Sequence, residues 1–123
     1  MCSAASSRHM QSSLGKCIVV HQPETVREHL LTAYGLHSFT PHTITDAALF
    51  DQELCRVREQ GYAIDREEST TGGCCFGAPI WTSPGRAGAA LSLSLPKDRA
   101  TDEQKIVDAV RRTAQSISED LAS

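Results

Sequence analysis

Cys74-Cys75-Phe76-Gly77-Ala78-Pro79-Ile80-Trp81-Thr82-Ser83-Pro84-Gly85-Arg86-Ala87-Gly88-Ala89-Ala90-Leu91-Ser92-Leu93-Ser94-Leu95 is the stretch on which the fold turns. Two strand-like runs, 74–82 and 87–95, flank Ser83-Pro84-Gly85-Arg86, where Pro presets φ at the second turn position and Gly is free at the third. If Ser83 pairs with Arg86, then Cys75 faces Ser94, Gly77 faces Ser92 and Pro79 faces Ala90. Side chains alternate across a strand, so these residues share one face. Cys74, Phe76, Ala78 and Ile80 take the other, against Leu95, Leu93, Leu91 and Ala89. The apolar face must pack against helices. The opposite face is small and mildly polar, without the Lys, Glu, Arg or Thr of an ordinary solvated face. It suits the floor of a small pocket, a surface covered by another segment, or a low-charge exterior.

Upstream of the hairpin the periodicity is helical. A first helix is expected over about 13–20, capped by Ser12 or Ser13. A second starts at Pro23 and stops before Gly35, with Val26, Leu30 and Ala33 as its apolar stripe. A third spans about 46–60, with Ala47, Phe50, Leu54 and Val57 at spacings of three and four, and ends at Gly61. After Gly61 the period becomes two: Tyr62-Ala63-Ile64-Asp65 reads as a strand, and 66–73 as a charged, glycine-rich loop. A last helix is expected over about 102–122, with Thr101 and Gln104 as a capping box and Ile106, Val110, Ala114, Ile117 and Leu121 facing inward. Hairpin-linked strands and helices gathered on one face of the antiparallel sheet give an α+β domain over 12–123, preceded by a polar leader or truncated edge over 1–11.

The chain has 123 residues, enough for a single core. Lys and Arg number 12 against 15 Asp and Glu, a net charge of −3. Its densest basic pairs, Arg56 with Arg58 and Arg111 with Arg112, fall on predicted helices beside acidic residues and read as solvated faces. Neither a basic recognition helix nor a helix-turn-helix pattern is present, so the chain alone is not expected to select a DNA sequence. The five cysteines include no C-x-x-C, and adjacent Cys74 and Cys75 point to opposite faces. Reduced thiols, no metal site and no cofactor are expected. The apolar runs are too short to span a bilayer and no signal peptide is recognised, so a cytoplasmic location without membrane contact is expected.

Ser92 and Ser94 are two apart, so both hydroxyls point one way and can donate to one carboxylate. The helix start at Ser12-Ser13 offers free N–H groups, a second common anion receptor.

Several motifs carry a resemblance. Residues 56–68, Arg56-Val57-Arg58-Glu59-Gln60-Gly61-Tyr62-Ala63-Ile64-Asp65-Arg66-Glu67-Glu68, look like the R-x-R-x-x-G-Y-x-x-D-x-E-E segment of IclR-family bacterial transcription regulators. Ala78-Pro79-Ile80 and Ala89-Ala90-Leu91-Ser92-Leu93-Ser94 are similar to its A-P-[IV] and A-A-[LI]-S-[VI]-S stretches. Ser13-Leu14-Gly15-Lys16 resembles its [ST]-x-G-K helix start. Residues 39–45, Phe39-Thr40-Pro41-His42-Thr43-Ile44-Thr45, resemble its [FY]-T-x-x-T-[IL]-T loop. The resemblance covers roughly 6–122, with the motifs in order.

It implies a GAF-like, or profilin-like, effector-binding domain whose opening strands are missing here. In the family this domain follows a winged helix that binds operator DNA, and no winged helix is recognised in this chain. By position, the family's ligand-binding residues correspond to Ser13, Leu14, Asp65, Cys75, Ser92 and Ser94. The expected partners are a small carboxylate or aromatic acid effector and copies of the chain in a homodimer or tetramer, with DNA reached only through the separate domain. Leu95-Pro96 stands where Gly-Pro is usual, Cys74 precedes the pocket cysteine, and Gly73 replaces a larger apolar residue, so the effector does not carry over from any one relative.

Two other readings compete. The small-residue face is a protein interface in an oligomerisation fragment, or Cys75 is the nucleophile of an enzyme. Catalysis would need a base beside the thiol, and the histidines His9, His21, His29, His37 and His42 have no spacing that ties them to Cys75. No catalytic residue is assigned.

Overall fold

The computed structural model describes residues 10–123. The element order is α1 (Ser13–Val19), α2 (Glu24–Tyr34), α3 (Ala47–Gln60), β1 (Ala63–Arg66), β2 (Gly73–Ile80), β3 (Ala89–Pro96), a 3-10 turn (Lys97–Arg99) and α4 (Glu103–Ala122). The strands form one antiparallel sheet in the order β1-β2-β3. The α+β class read from the sequence is the class observed.

The hairpin register is the expected one: Cys75 opposite Ser94, Gly77 opposite Ser92, Pro79 opposite Ala90 and Ile80 opposite Ala89. Ser83 bridges Arg86, whose N–H donates to the Ser83 carbonyl at 3.0 Å. Gly85 takes φ +74°, the left-handed conformation this turn position demands. β1 adds Ala63 opposite Gly77 and Asp65 opposite Cys75.

One expectation about the layers fails. The helices lie on both faces of the sheet rather than one. Phe76, Ala78 and Ile80 pack with Val107, Val110 and Ala114 of α4. On the other face α1 crosses β2, and Cys17, Val19 and Val20 join Phe50, Leu54 and Val57 of α3 and Ala63 of β1 in a second cluster. Fully burying a side chain such as Phe76 or Phe50 contributes about 1.5–3 kcal/mol. The crossing of α1 depends on Gly77: a Cβ there would stand 3.0 Å from the Ser13 carbonyl oxygen. The small residues of this face are therefore in part a bed for a helix, one of the alternatives left open by the pattern.

Helix boundaries follow the capping residues. Ser12 accepts from Gly15 N–H and Asp46 from Leu49 N–H. α4 is capped by Asp102, which accepts from Lys105 N–H, and not by a Thr101–Gln104 box. The Gln104 amide instead donates to Asp108 one turn on. The α4 stripe is also rotated. Val107, Val110, Ala114 and Ser118 are buried, Ile106 and Ile117 only partly, and Leu121 is 55% exposed. Ser118 belongs inside because its hydroxyl accepts from Trp81 N–H at 2.9 Å. α2 buries no residue, and Val26 and Ala33 of its expected stripe face solvent. Leu30 and Leu31 rest against the edge of the core. The Ala47 of α3 is likewise exposed.

The leader expected over 1–11 lies mostly outside the described residues. Its last two positions belong to the core: Met10 and Gln11 are buried, and the Gln11 side chain bonds His37 N–H, His37 O and Ile44 O.

Candidate functional site

β1, β2 and β3 each bring a polar side chain to one end of the small-residue face. Asp65, Cys75 and Ser94 lie side by side in the ladder. Ser94 Oγ is 3.1 Å from Cys75 Sγ. All three line an open cleft of about 420 Å³, completed by the loop 69–73 and by Leu95 and Pro96. The volume suits a small organic ligand.

Asp65 is 1% exposed, and its carboxylate is already occupied. It accepts from Glu68 N–H at 2.7 Å, from Ser69 N–H at 3.2 Å and from the Ser69 hydroxyl. Asp65 therefore shapes the loop that walls the cleft. Thr40 and Thr43 hold the same loop from outside, their hydroxyls donating to the carbonyls of Glu67 and Glu68. This anchoring sustains Glu67 at φ 58°, a left-handed value uncommon for a residue with a side chain.

Lys16 fastens the loop to α1. It is fully buried, and its Nζ donates to Glu53 at 2.8 Å and to Glu68 at 2.6 Å. Burial pushes the Glu68 carboxyl up from its ordinary range despite Lys16, and Asp65 adds to the rise. Two carboxylates thus share one ammonium in a poorly solvated place.

The remaining expected site residues are not in the cleft lining. Ser92 is exposed on the same face, opposite Gly77. Ser13 is buried over Gly77, and Leu14 is half-buried beside it. The sequence reading missed the loop residues Ser69, Thr70, Thr71 and Gly72 as a wall, and Lys16 as its anchor. The glycine-rich run after Asp65 was the available signal for the wall. For Lys16 the only signal was its place in the [ST]-x-G-K motif.

No group of three or more His, Cys, Asp or Glu side chains is arranged to hold a metal ion among the described residues, and no helix there is long and apolar enough to cross a membrane.

Residues 6–119 match the family model described as bacterial transcriptional regulator IclR C-terminal. The chain belongs to this family. It is 35% identical over 113 residues to the HTH-type transcriptional regulator BhcR of Paracoccus denitrificans, covering 90% of this chain and 40% of that protein. The fold matches Thermotoga maritima IclR with a TM-score of 0.85 and 32% identity, over 94% of this chain and 47% of that one. It also matches the inducer-binding domain of an Acinetobacter PobR double mutant, solved as a 3-hydroxybenzoic acid complex, with a TM-score of 0.82 and 26% identity, over 89% of this chain and 65% of that one. The chain spans less than half the length of curated relatives it matches, 40% for BhcR and 45% for the repressor AllR of Salmonella typhi.

Proposed function

We propose that this chain is the small-molecule-sensing part of an IclR-type transcription regulator, and that a small organic or aromatic acid seats in the cleft at Cys75 and Ser94. The observation that carries the reading is the convergence of the Cys75 thiol and Ser94 hydroxyl on an open cleft, on the sheet face where α1 covers Gly77. No Lys or Arg lines that cleft, so hydroxyls and backbone N–H groups must meet the ligand's carboxylate. Asp65 would repel a carboxylate, and its role is to hold the loop. Effector binding then controls a DNA-binding domain elsewhere in the full-length regulator, within a homodimer or tetramer. The enzyme reading has no observation in its favour.

Such a site, without a full counter-charge, gives modest affinity: a dissociation constant of roughly 10 μM to 1 mM, about −7 to −4 kcal/mol. The test is a melting-shift screen against a panel of small organic acids. A shift produced by a specific acid, and lost in Ser94→Ala, supports the reading. A chain that melts with concentration dependence and ignores every acid is an oligomerisation module instead. That second reading rests on the same small-residue face, where Ser92 and Ser94 are exposed on β3.

A further inference from the structure

The basic pairs that read as solvated helix faces do not all behave as such. Arg56 pairs with Glu53 at 3.5 Å. Arg58 of α3 and Arg111 of α4 instead converge, with His21 just beyond α1, on a cavity of about 140 Å³ against Pro79, Trp81 and Gln115. Each of the three side chains is positioned. Arg58 Nη2 donates to the Val20 carbonyl at 2.6 Å. The Arg111 guanidinium lies 5.6 Å from the centre of the Tyr62 ring. The His21 ring meets Trp81 edge-on at 4.7 Å.

No carboxylate lines this cavity. Among the described residues, the ion pairs engage Lys16, Arg56, Arg66 and Lys97, and neither Arg58 nor Arg111. Positive charge thus gathers in one recess of a chain whose net charge is −3. Burial and the neighbouring Arg58 both push the His21 imidazole below its ordinary value, as expected where positive charge is in excess. Guanidinium forks match the oxygens of phosphate, and a compact dianion would supply the missing counter-charge. The volume holds only a few waters' worth of matter, at about 30 Å³ each, which suits a phosphate group better than an aromatic ring with its substituents.

We propose that His21, Arg58 and Arg111 form a binding site for a phosphate-type oxyanion, distinct from the cleft at Cys75 and Ser94. Trp81 is the only tryptophan and lines the cavity, so its emission reports occupancy directly. The test titrates the full chain with inorganic phosphate at constant ionic strength, with acetate as the carboxylate control. The expected result is a saturable change in Trp81 emission with phosphate and one at least tenfold weaker with acetate. Arg111→Gln, on an exposed position, should weaken the phosphate midpoint about tenfold or more at unchanged melting temperature, and Ser94→Ala should leave it unaltered. Absence of a saturable phosphate response, an acetate response equal to it, or an unchanged midpoint in Arg111→Gln would each overturn the proposal. Arg58→Gln should weaken binding likewise. If loss of its bond to Val20 unfolds that variant, Arg111→Gln still decides.

Discussion

The Ser94 hydroxyl stands 3.1 Å from the Cys75 thiol across the β2–β3 ladder. Both side chains contribute to the wall of the same cleft, and Asp65 continues the row on β1. This contact lets one strand pair present a thiol and a hydroxyl to one small ligand.

Ser94→Ala should therefore weaken binding of whichever acid the screen identifies by about 5- to 150-fold, the cost of one donor that the bound ligand shuts off from water, at about 1–3 kcal/mol. Ser92, exposed and outside the cleft lining, should matter less, with Ser92→Ala changing affinity by about 0.5 kcal/mol or less. Calorimetry on both variants checks the difference. Equal losses would place the ligand further along β3, towards α1.

The thiols should separate by reactivity. Burial pushes Cys17 up to about 12, and burial likewise raises Cys74. Cys55 is exposed and Cys75 half-buried at the cleft. Iodoacetamide at pH 8 should label Cys55 and Cys75 in the native chain and spare Cys17 until it unfolds. A bound effector should protect Cys75 alone. Peptide mapping by mass spectrometry reads each site, and protection of Cys55 instead would contradict the proposed location.

Gly77 and Gly85 should respond to alanine for different reasons. A Cβ at Gly77 would meet the backbone of Ser13 at 3.0–3.1 Å, so Gly77→Ala should cost about 1–3 kcal/mol by overpacking and push α1 off the sheet. A Cβ at Gly85 meets nothing within 4 Å, and only its φ of +74° is at stake, so Gly85→Ala should cost about 1–2 kcal/mol through backbone strain. Denaturant melts give both values. The effector response should fall in Gly77→Ala and persist in Gly85→Ala.

Lys16 should control alkaline stability. Burial alone would lower its pKa, but Glu68 and Glu53 outweigh burial and hold the ammonium above its ordinary 10.5. A folded value raised above the unfolded one contributes stability that is complete below pH 10.5 and is lost as pH climbs through the folded value. Lys16→Met leaves Glu53 and Glu68 without their cation and should cost about 3–5 kcal/mol at neutral pH. Its stability curve should lack the alkaline fall expected of the parent chain. Urea melts from pH 7 to 11 compare the two, and parallel curves would remove Lys16 from this role.

Much of the architecture was legible because it rests on local rules. Pro84-Gly85 fixed the turn, the turn fixed the register, and the register put Cys75 opposite Ser94. The bounds of α2 followed from Pro23 and Gly35, and the end of α3 from Gly61. At the start of α4, Thr101 and Asp102 are both competent acceptors, so the local pattern does not choose between them; the cap is Asp102.

What the sequence determined by itself was the set of elements, the pairing of β2 with β3 and the sorting of their side chains onto two faces, all consequences of period-two alternation about a defined turn. Tertiary structure alone decided what each face meets. The close approach of Ser13 to Gly77, the burial of Lys16 between Glu53 and Glu68, the capture of the 67–69 loop by Asp65, Thr40 and Thr43, and the meeting of His21 with Arg58 and Arg111 all join residues from separate elements. Their distances depend on how helices seat on the sheet, and no local pattern encodes that placement.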